Sequence, residues 1–231
     1  MEDQLKAVAD SYDRAIVLGM KGIDQYKDLP ALITANPAYQ LFLKMQEEGN
    51  LSDSAREEIL TFLAPRRDLW FVDLGCCLNL MFRGYDKWES LYHGVDISPN
   101  TIELLHAYVN RNRLRTGALV CCAMHETPFA DDSFEIGACI GSLEYFEKDY
   151  VRRALREIRR LIKPAGRIVL DIPDVGSPEF ESIAMIEAHL GRRERFDMRV
   201  TEFETEIRPF WNIAHREKVG PMLQYFLSST K

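Results

Sequence analysis

Short apolar segments alternate with helical segments through the middle of the chain, from residue 69 onwards. Strands that are separated by helical crossovers form a parallel sheet with helices on both faces. The pattern therefore predicts an α/β fold built on a doubly wound, mostly parallel sheet. The segments with the length and composition of buried strands are 70–74, 92–96, 118–122, 134–140 and 167–172.

Two further segments extend the predicted sheet near the end of the chain. After a predicted helix at 178–190, residues 198–207 and 222–228 alternate between apolar and polar side chains, as an antiparallel pair does. Gly220 and Pro221 supply a turn before the last strand. The complete sheet is therefore expected to have seven strands.

The first 65 residues show helical spacing and no strand signal. Leu5, Val8, Tyr12 and Ile16 recur at the spacing of one helix face. We expect residues 1–65 to form a helical lid that caps the substrate side of an α/β domain at residues 66–231.

Charge and terminal sequence bear on the possible partners. The formal net charge of −7 gives no general attraction to nucleic acid, which needs a basic stripe. The first residues lack the basic start and apolar run of a signal peptide, and no run reaches the roughly 18 apolar residues of a membrane span. The sequence predicts a cytoplasmic protein that acts on a small molecule, without a nucleic-acid or membrane partner. It leaves the oligomeric state open.

The five cysteines lie in or just after strand-like segments, at positions 76, 77, 121, 122 and 139. Adjacent residues of a strand point to opposite faces, so neither Cys-Cys pair can present both thiols to one ion. We therefore expect buried, reduced thiols and no metal site.

Two acids end neighbouring predicted strands. Asp73 closes the segment at 70–74, and Asp96 follows 23 residues later at the end of the next strand. Carboxyl ends of neighbouring parallel strands can hold a small ligand beside a helix start, and an acid at the second position suits a ribose diol. Because Ser98 can cap the following helix, we expect the Asp96 carboxylate to be free for this contact.

Several segments, in this order, resemble the class I S-adenosylmethionine-dependent methyltransferases. The resemblance covers residues 66–228 and is carried by Val72-Asp73-Leu74-Gly75-Cys76, Gly94-Val95-Asp96-Ile97-Ser98-Pro99, the loop at 127–135, Leu143-Glu144-Tyr145-Phe146 and the helix with its stop at 155–167. It implies a Rossmann-like methyltransferase fold and S-adenosylmethionine as cofactor.

The resemblance also implies roles for individual residues. Asp96, with Ile97 beside it, and Met124 would hold the nucleoside, with Ala123 at a position where many relatives place an acid near the adenine amino group. Asp73 and the loop at Gly75 and Cys77, with the Gly141 backbone, would hold the methionine end. Tyr145 is the candidate contact to the methyl acceptor. The implied reaction is methyl transfer to an O, N, S or C nucleophile of a small molecule, without a conspicuous acid or base.

The first motif departs from the family pattern, which leaves an alternative function open. Cys77 and Asn79 occupy positions where the family usually has glycines that permit close approach of the backbone to the ligand. The alternative is a non-catalytic domain of the same fold that binds another ligand or a protein partner. A nicotinamide dehydrogenase fits less well, because no glycine follows Gly75 before Gly84.

Overall fold

A computed structural model describes residues 2–25, 29–47, 57–192 and 196–230. The helices are α1 (Glu2–Met20), α2 (Ala31–Thr34), α3 (Pro37–Glu47), α4 (Glu57–Leu63), α5 (Asn79–Phe82), α6 (Pro99–Asn112), α7 (Lys148–Leu161), α8 (Pro178–His189) and α9 (Val200–Ile207). The strands are β1 (Trp70–Leu74), β2 (Leu91–Asp96), β3 (Leu119–Cys121), β4 (Phe134–Cys139), β5 (Ile162–Pro173), β6 (Trp211–Val219) and β7 (Met222–Ser229).

One seven-stranded sheet organises the domain, in the order β3-β2-β1-β4-β5-β7-β6. Strands β1 to β5 run parallel, whereas β7 is antiparallel to both β5 and β6. The first strand, β1, lies in the middle of the sheet. From there the chain winds outward through β2 to β3 and returns past β1 to form β4. This reversal creates a switch point at the carboxyl ends of β1 and β4, where α/β sheets form their ligand crevice. The predicted seven-stranded, doubly wound fold is confirmed.

Alternation along the strands divides the core between the two faces of the sheet. Phe71 packs with the α4 and α6 side, while Val72 packs with the α7 side. Helix α7 buries one continuous stripe, as its apolar spacing predicts, and its members are Tyr150, Val151, Ala154, Leu155, Ile158 and Leu161. The two faces therefore fix β1 and β4 rigidly beneath the crevice.

The N-terminal helices pack in two different places on the domain. Ile59 and Leu63 of α4 are fully buried in the sheet core with Phe71 and Phe226. By contrast, α1 packs on α6 and α3 packs on α8, near the carboxyl edge of the sheet. The division of function at residues 65 and 66 stays a prediction, but the packing of α4 continues the core across this boundary.

The predicted strand at 198–207 is wrong, because these residues contain helix α9. Phe203 and Ile207 are four residues apart, lie on one helix face and are both fully buried. The Glu202 side chain accepts a hydrogen bond from the Arg199 backbone N–H, which caps the start of the helix. The edge strand is instead β6, whose polar residues from His215 to Lys218 interrupt the apolar alternation.

The cysteines also differ in part from the expectation. All five are free thiols, but only Cys76 and Cys139 are buried; Cys77 and Cys122 are half-buried and Cys121 is exposed. Within the described ranges, none of the helices has the length and apolar character needed to cross a membrane.

Candidate functional site

A cavity of about 540 Å³ opens at the carboxyl edge of the sheet, over the switch point between β1 and β4. This volume lies within the range of small-molecule sites, roughly 300–1,000 Å³. Most of the residues predicted from the sequence to contact cofactor or acceptor line it: Gly75, Cys77, Asp96, Ile97, Met124, Gly141 and Tyr145. Asp73 and Ala123 do not line it.

The loop after β1 is held against two neighbouring segments. The backbone N–H groups of Gly75 and Cys76 both donate to the Val95 carbonyl oxygen, at 2.8 and 2.9 Å. Ser142 donates from its hydroxyl to the Gly75 carbonyl oxygen at 3.2 Å. Gly75 has a φ of +70°, and an added Cβ would lie 2.1 Å from the Ser142 hydroxyl oxygen. Glycine is therefore required here for both conformation and space.

Cys77 adopts the left-handed conformation that the family pattern reserves for glycine. Its φ is 41°, and its backbone N–H donates to Oδ2 of Asp96 at 2.8 Å. A side chain in this region costs roughly 1–2 kcal/mol. The bond to Asp96 helps hold the loop in this conformation, so the departure from glycine is accommodated without losing the turn.

Both oxygens of the Asp96 carboxylate accept backbone hydrogen bonds, which corrects the expectation of a free carboxylate. Oδ1 accepts from the Ser98 N–H at 2.8 Å, and Oδ2 accepts from Cys77. A carboxylate offers about four acceptor positions, so capacity remains on the cavity side. Burial raises the pKa of Asp96 to about 6, although its backbone hydrogen bonds lower it.

The predicted cap of α6 is present and is tied to the N-terminal helix. Ser98 Oγ accepts from the Thr101 N–H at 3.0 Å and donates to the Asp13 carboxylate of α1. Asp13 was not predicted as a site residue, since its partner lies 85 residues away in sequence. Helix α1 therefore reaches directly to the β2 end of the cavity.

Asp73 lies behind the loop, away from the cavity lining. It shares a strand face with Phe71, is fully buried, and accepts from the Tyr92 hydroxyl at 3.0 Å and the Asn79 amide at 3.5 Å. Burial raises the pKa of Asp73 to about 7, and the Tyr92 bond opposes this shift. The expected contact with a ligand ammonium stays a prediction, and the contact that the structure shows is with Asn79 at the start of α5.

The two residues at the predicted adenine position also differ. Met124 is buried and lines the cavity, with its sulfur 3.8 Å from the Cys139 thiol. Ala123 lies outside the lining, and its carbonyl oxygen accepts from the Glu126 N–H in a turn. The segment at Ala123 and Met124 therefore offers an adenine ring the apolar surface of Met124, with alanine and not an acid at the preceding position.

The opposite wall carries charged residues that sequence reasoning did not assign. The Gly141 N–H donates to Oδ1 of Asp171 at 2.8 Å, and Glu144 and Glu187 also line the cavity. Arg192 bonds Oε2 of Glu187 at 2.7 Å. No local motif marks Arg192 or Glu187, because only the packing of α8 and of the segment after it brings them to the cavity.

Arg192 connects the charged wall to two tyrosines. Its guanidinium lies 4.4 Å from the Tyr12 ring centroid and 5.3 Å from that of Tyr145, and its Nε donates to Ser11 Oγ at 3.2 Å. The rings of Tyr12 and Tyr145 meet edge to face at 5.7 Å. Tyr145 therefore both lines the cavity and packs against α1. Within the described part of the chain, no cluster of His, Cys, Asp or Glu is arranged to hold a metal ion.

The central part of the chain matches a known protein family. Residues 72–170 match the protein family described as "Methyltransferase domain". The chain is 34% identical over 112 residues to malonyl-[acyl-carrier protein] O-methyltransferase of Halorhodospira halophila, which covers 46% of this chain and 34% of the relative. The chain spans less than half the length of the curated relatives that it matches.

Solved structures share the fold at low sequence identity. A protein of Pyrococcus horikoshii OT3, PH0226, aligns with a TM-score of 0.62 and 18% identity, covering 89% of this chain and 98% of that one. Geranyl diphosphate C-methyltransferase of Streptomyces coelicolor A3(2) aligns with a TM-score of 0.60 and 16% identity, covering 75% of this chain and 76% of that one. The predicted Rossmann-like methyltransferase fold is confirmed.

Proposed function

Because the chain belongs to the class I S-adenosylmethionine-dependent methyltransferases, we propose that it transfers a methyl group from S-adenosylmethionine to a small-molecule acceptor. The observation that carries this proposal is the 540 Å³ cavity, because the loops after β1, β2 and β4 all contribute to its lining. The net charge of −7 supports a small molecule over a nucleic acid as acceptor.

The β2 side of the cavity fits an adenosyl group. Asp96 lines the cavity with acceptor capacity beyond its two backbone bonds, which suits the two hydroxyl groups of a ribose. Ile97 and the buried Met124 supply apolar surface for an adenine ring. These residues would hold the nucleoside by one polar and two apolar contacts.

The β1 and β4 side fits the methionine end. Gly75 and Gly141 both have left-handed φ values, near +70°, so the cavity is bordered by backbone without side-chain bulk at these positions. Asp171 lines the cavity beside Gly141 and carries the opposite charge to an α-ammonium group. Asp73 would act from behind the cavity lining, because its contact with Asn79 holds the end of the loop that follows β1.

When bound, S-adenosylmethionine supplies an electrophilic methyl group on a sulfonium. The residues of this chain would contribute orientation, which can supply about 7–11 kcal/mol in a bimolecular reaction. Tyr145 lines the cavity and is held in place by Tyr12 and Arg192, so it is our candidate for aligning the acceptor. Phe42 and Tyr12, from α3 and α1, would exclude water.

The non-catalytic alternative depends on Cys77. Its side chain lines the cavity next to Gly75, on the side that we assign to the methionine end. If this side chain blocks the cofactor, the cavity serves another ligand. The fold alone does not decide between the two, since one fold supports many functions.

Titration calorimetry tests the proposal with S-adenosylmethionine and S-adenosylhomocysteine as ligands. We expect micromolar binding of both, and about 10- to 100-fold weaker binding in Asp96→Asn because a hydrogen bond to a charged group is lost. Asp68→Asn is the matched control, since Asp68 is exposed and precedes β1 at the other edge of the sheet. Silence with both ligands in the unmodified protein would reject the proposal and support the non-catalytic alternative.

A further inference from the structure

The cavity contains a carboxylate with one unpaired oxygen. Glu144 lines the cavity, and its Oε2 is shielded from solvent yet has no hydrogen-bond partner among the described residues. A buried carboxylate oxygen without a partner is costly, and natural sites retain such groups when a ligand supplies the missing contact. Glu144 follows β4, in the short turn that also positions Tyr145.

The charged neighbours of Glu144 are mostly acids. Asp171 and Glu187 both line the cavity with it, and the cation that influences it, Arg192, is already paired with Glu187 at 2.7 Å. Burial raises the pKa of Glu144 well above the ordinary range of a carboxyl group, and the charge of Asp171 adds to this shift. This wall repels anions and attracts a cation or a hydrogen-bond donor.

The other acids already have assigned partners. Asp171 accepts from the Gly141 backbone, on the side of the cavity that we assign to the methionine end, and Glu187 is paired with Arg192. Glu144 therefore remains as the acid without an assigned partner, one residue before Tyr145, our candidate for aligning the acceptor. A carboxylate or phosphate acceptor would place a second negative charge against it.

We propose that the methyl acceptor is a small amine, which binds as an ammonium ion against Glu144 and gives up a proton to this carboxylate before it is methylated. The inference rests on the proposed function and names its substrate class. It makes Glu144 a catalytic residue, because its oxygen touches the reacting nitrogen.

The chemistry balances as follows. The ammonium nitrogen transfers one proton to Oε2 of Glu144 and regains its lone pair, which forms the new bond to the methyl carbon. The bond from this carbon to sulfur breaks, its electron pair stays on sulfur, and the product is a methylated ammonium ion. A carboxylate with a raised pKa is a stronger base than an exposed one, which suits it to accept this proton.

The experiment uses three sets of probes with matched carbon skeletons: benzylamine and phenethylamine, benzyl alcohol and phenethyl alcohol, and phenylacetate and phenylpropionate. Their binding to the full chain saturated with S-adenosylhomocysteine is measured by calorimetry, and methyl transfer is measured with labelled S-adenosylmethionine. We expect the amines to bind about 10- to 100-fold more tightly than the alcohols, and the carboxylates to bind most weakly.

Glu144→Gln should remove this preference and lower methyl transfer to amines by about 10²- to 10⁴-fold, as expected for loss of a general base. Glu147→Gln is the matched control, because Glu147 is exposed three residues further along. Its amine preference and transfer rate should match those of the unmodified protein.

The outcomes separate this inference from the proposed function. Binding of S-adenosylhomocysteine without a preference for amines, or an amine preference that survives Glu144→Gln, overturns the amine inference alone. If Glu144→Gln weakens S-adenosylhomocysteine itself and leaves the amine preference intact, Glu144 belongs to the cofactor end and the inference is again wrong. Failure of S-adenosylhomocysteine to bind the unmodified protein rejects the proposed function, and the amine inference with it.

Discussion

The Asp96 carboxylate and the Cys77 backbone N–H form a 2.8 Å hydrogen bond that joins the ends of two parallel strands. This bond lets a residue with a side chain occupy a left-handed turn. It also connects Asp96, the predicted ribose contact, directly to Cys77, the residue that departs from the family pattern. A change at either residue should therefore affect the other.

Replacing Cys77 with glycine should stabilise the protein. Glycine removes the roughly 1–2 kcal/mol cost of a left-handed side chain. It also stabilises the unfolded state by about 0.5–1 kcal/mol, because its backbone has more entropy there, and this opposes the gain. We expect Cys77→Gly to raise the free energy of unfolding by about 0.5–1 kcal/mol in urea titrations. Cys122→Ala, at another cavity-lining thiol without a positive φ, should not stabilise it. A fall in stability would show that the Cys77 side chain packs favourably.

Cofactor affinity in the same variant distinguishes the two proposed functions. Calorimetry should give similar affinities for S-adenosylhomocysteine in the unmodified protein and in Cys77→Gly if the loop already admits the cofactor. Binding that appears only in Cys77→Gly would favour the non-catalytic alternative.

Gly75 and Gly141 should respond differently to alanine, although both have φ values near +70°. A Cβ at Gly141 makes only an ordinary van der Waals contact, 3.9 Å from a Glu144 oxygen, so Gly141→Ala should cost only the conformational strain of about 1–2 kcal/mol. A Cβ at Gly75 collides with Ser142, so Gly75→Ala should cost about 1–3 kcal/mol more. Chemical denaturation of both variants measures the difference, and equal losses would contradict the close approach of the two loops.

Asp73 should make the folded state less stable as pH rises. Its pKa in the folded state is about 7, against an ordinary value of 3.8, so the folded protein binds more protons between pH 4 and pH 7. Within this window the free energy of unfolding should fall by at most about 1.4 kcal/mol per pH unit for this group, and the effect should be complete above pH 7.

Asp73→Asn keeps an oxygen that can accept from the Tyr92 hydroxyl and lacks the titration. The variant should therefore gain stability relative to the unmodified protein as pH rises from 4 to 7. Urea titrations at several pH values measure this difference, with exposed Asp68→Asn as the control. A constant difference between the two proteins across this range would show that Asp73 does not titrate there.

Arg192 should control the attachment of α1. Arg192→Ala removes the largely buried ion pair with Glu187 and the stacking on Tyr12, which together should cost about 3–5 kcal/mol. Amide hydrogen exchange in residues 2–20 should accelerate more than exchange in α7. Arg14→Ala, whose long hydrogen bond to Leu190 is exposed, is the control. Unchanged protection of α1 would mean that its packing on α6 suffices.

The sequence predicted what depends on local patterns. The parallel strands, the amphipathic α7 and the Ser98 cap all follow from spacing over a few residues, and the structure confirms them. Helix α9 was mistaken for a strand because Met198 and Val200 alternate, whereas Phe203 and Ile207 carry the helical period. The exposed edge strand β6 offered almost no apolar pattern.

The site was harder to predict where contacts are distant in sequence. Asp96 was expected to be free because its bond to Cys77 crosses between strands. Arg192 and Glu187 have no local signature, and their place at the cavity depends on how α8 and the segment after it pack against α1. Strand alternation puts Asp73 on the face of Phe71, but both faces of β1 are core, so alternation could not show that Asp73 lies away from the cavity.

Truncated or recombined chains of this kind need helix α4 to complete the core. Ile59 and Leu63 fill the same layer as Phe71 and Phe226, so a fragment beginning at residue 66 would expose a hole in the middle of the sheet face. A chimaera that exchanges acceptor specificity should therefore be joined upstream of Glu57, so that the recipient keeps its own α4.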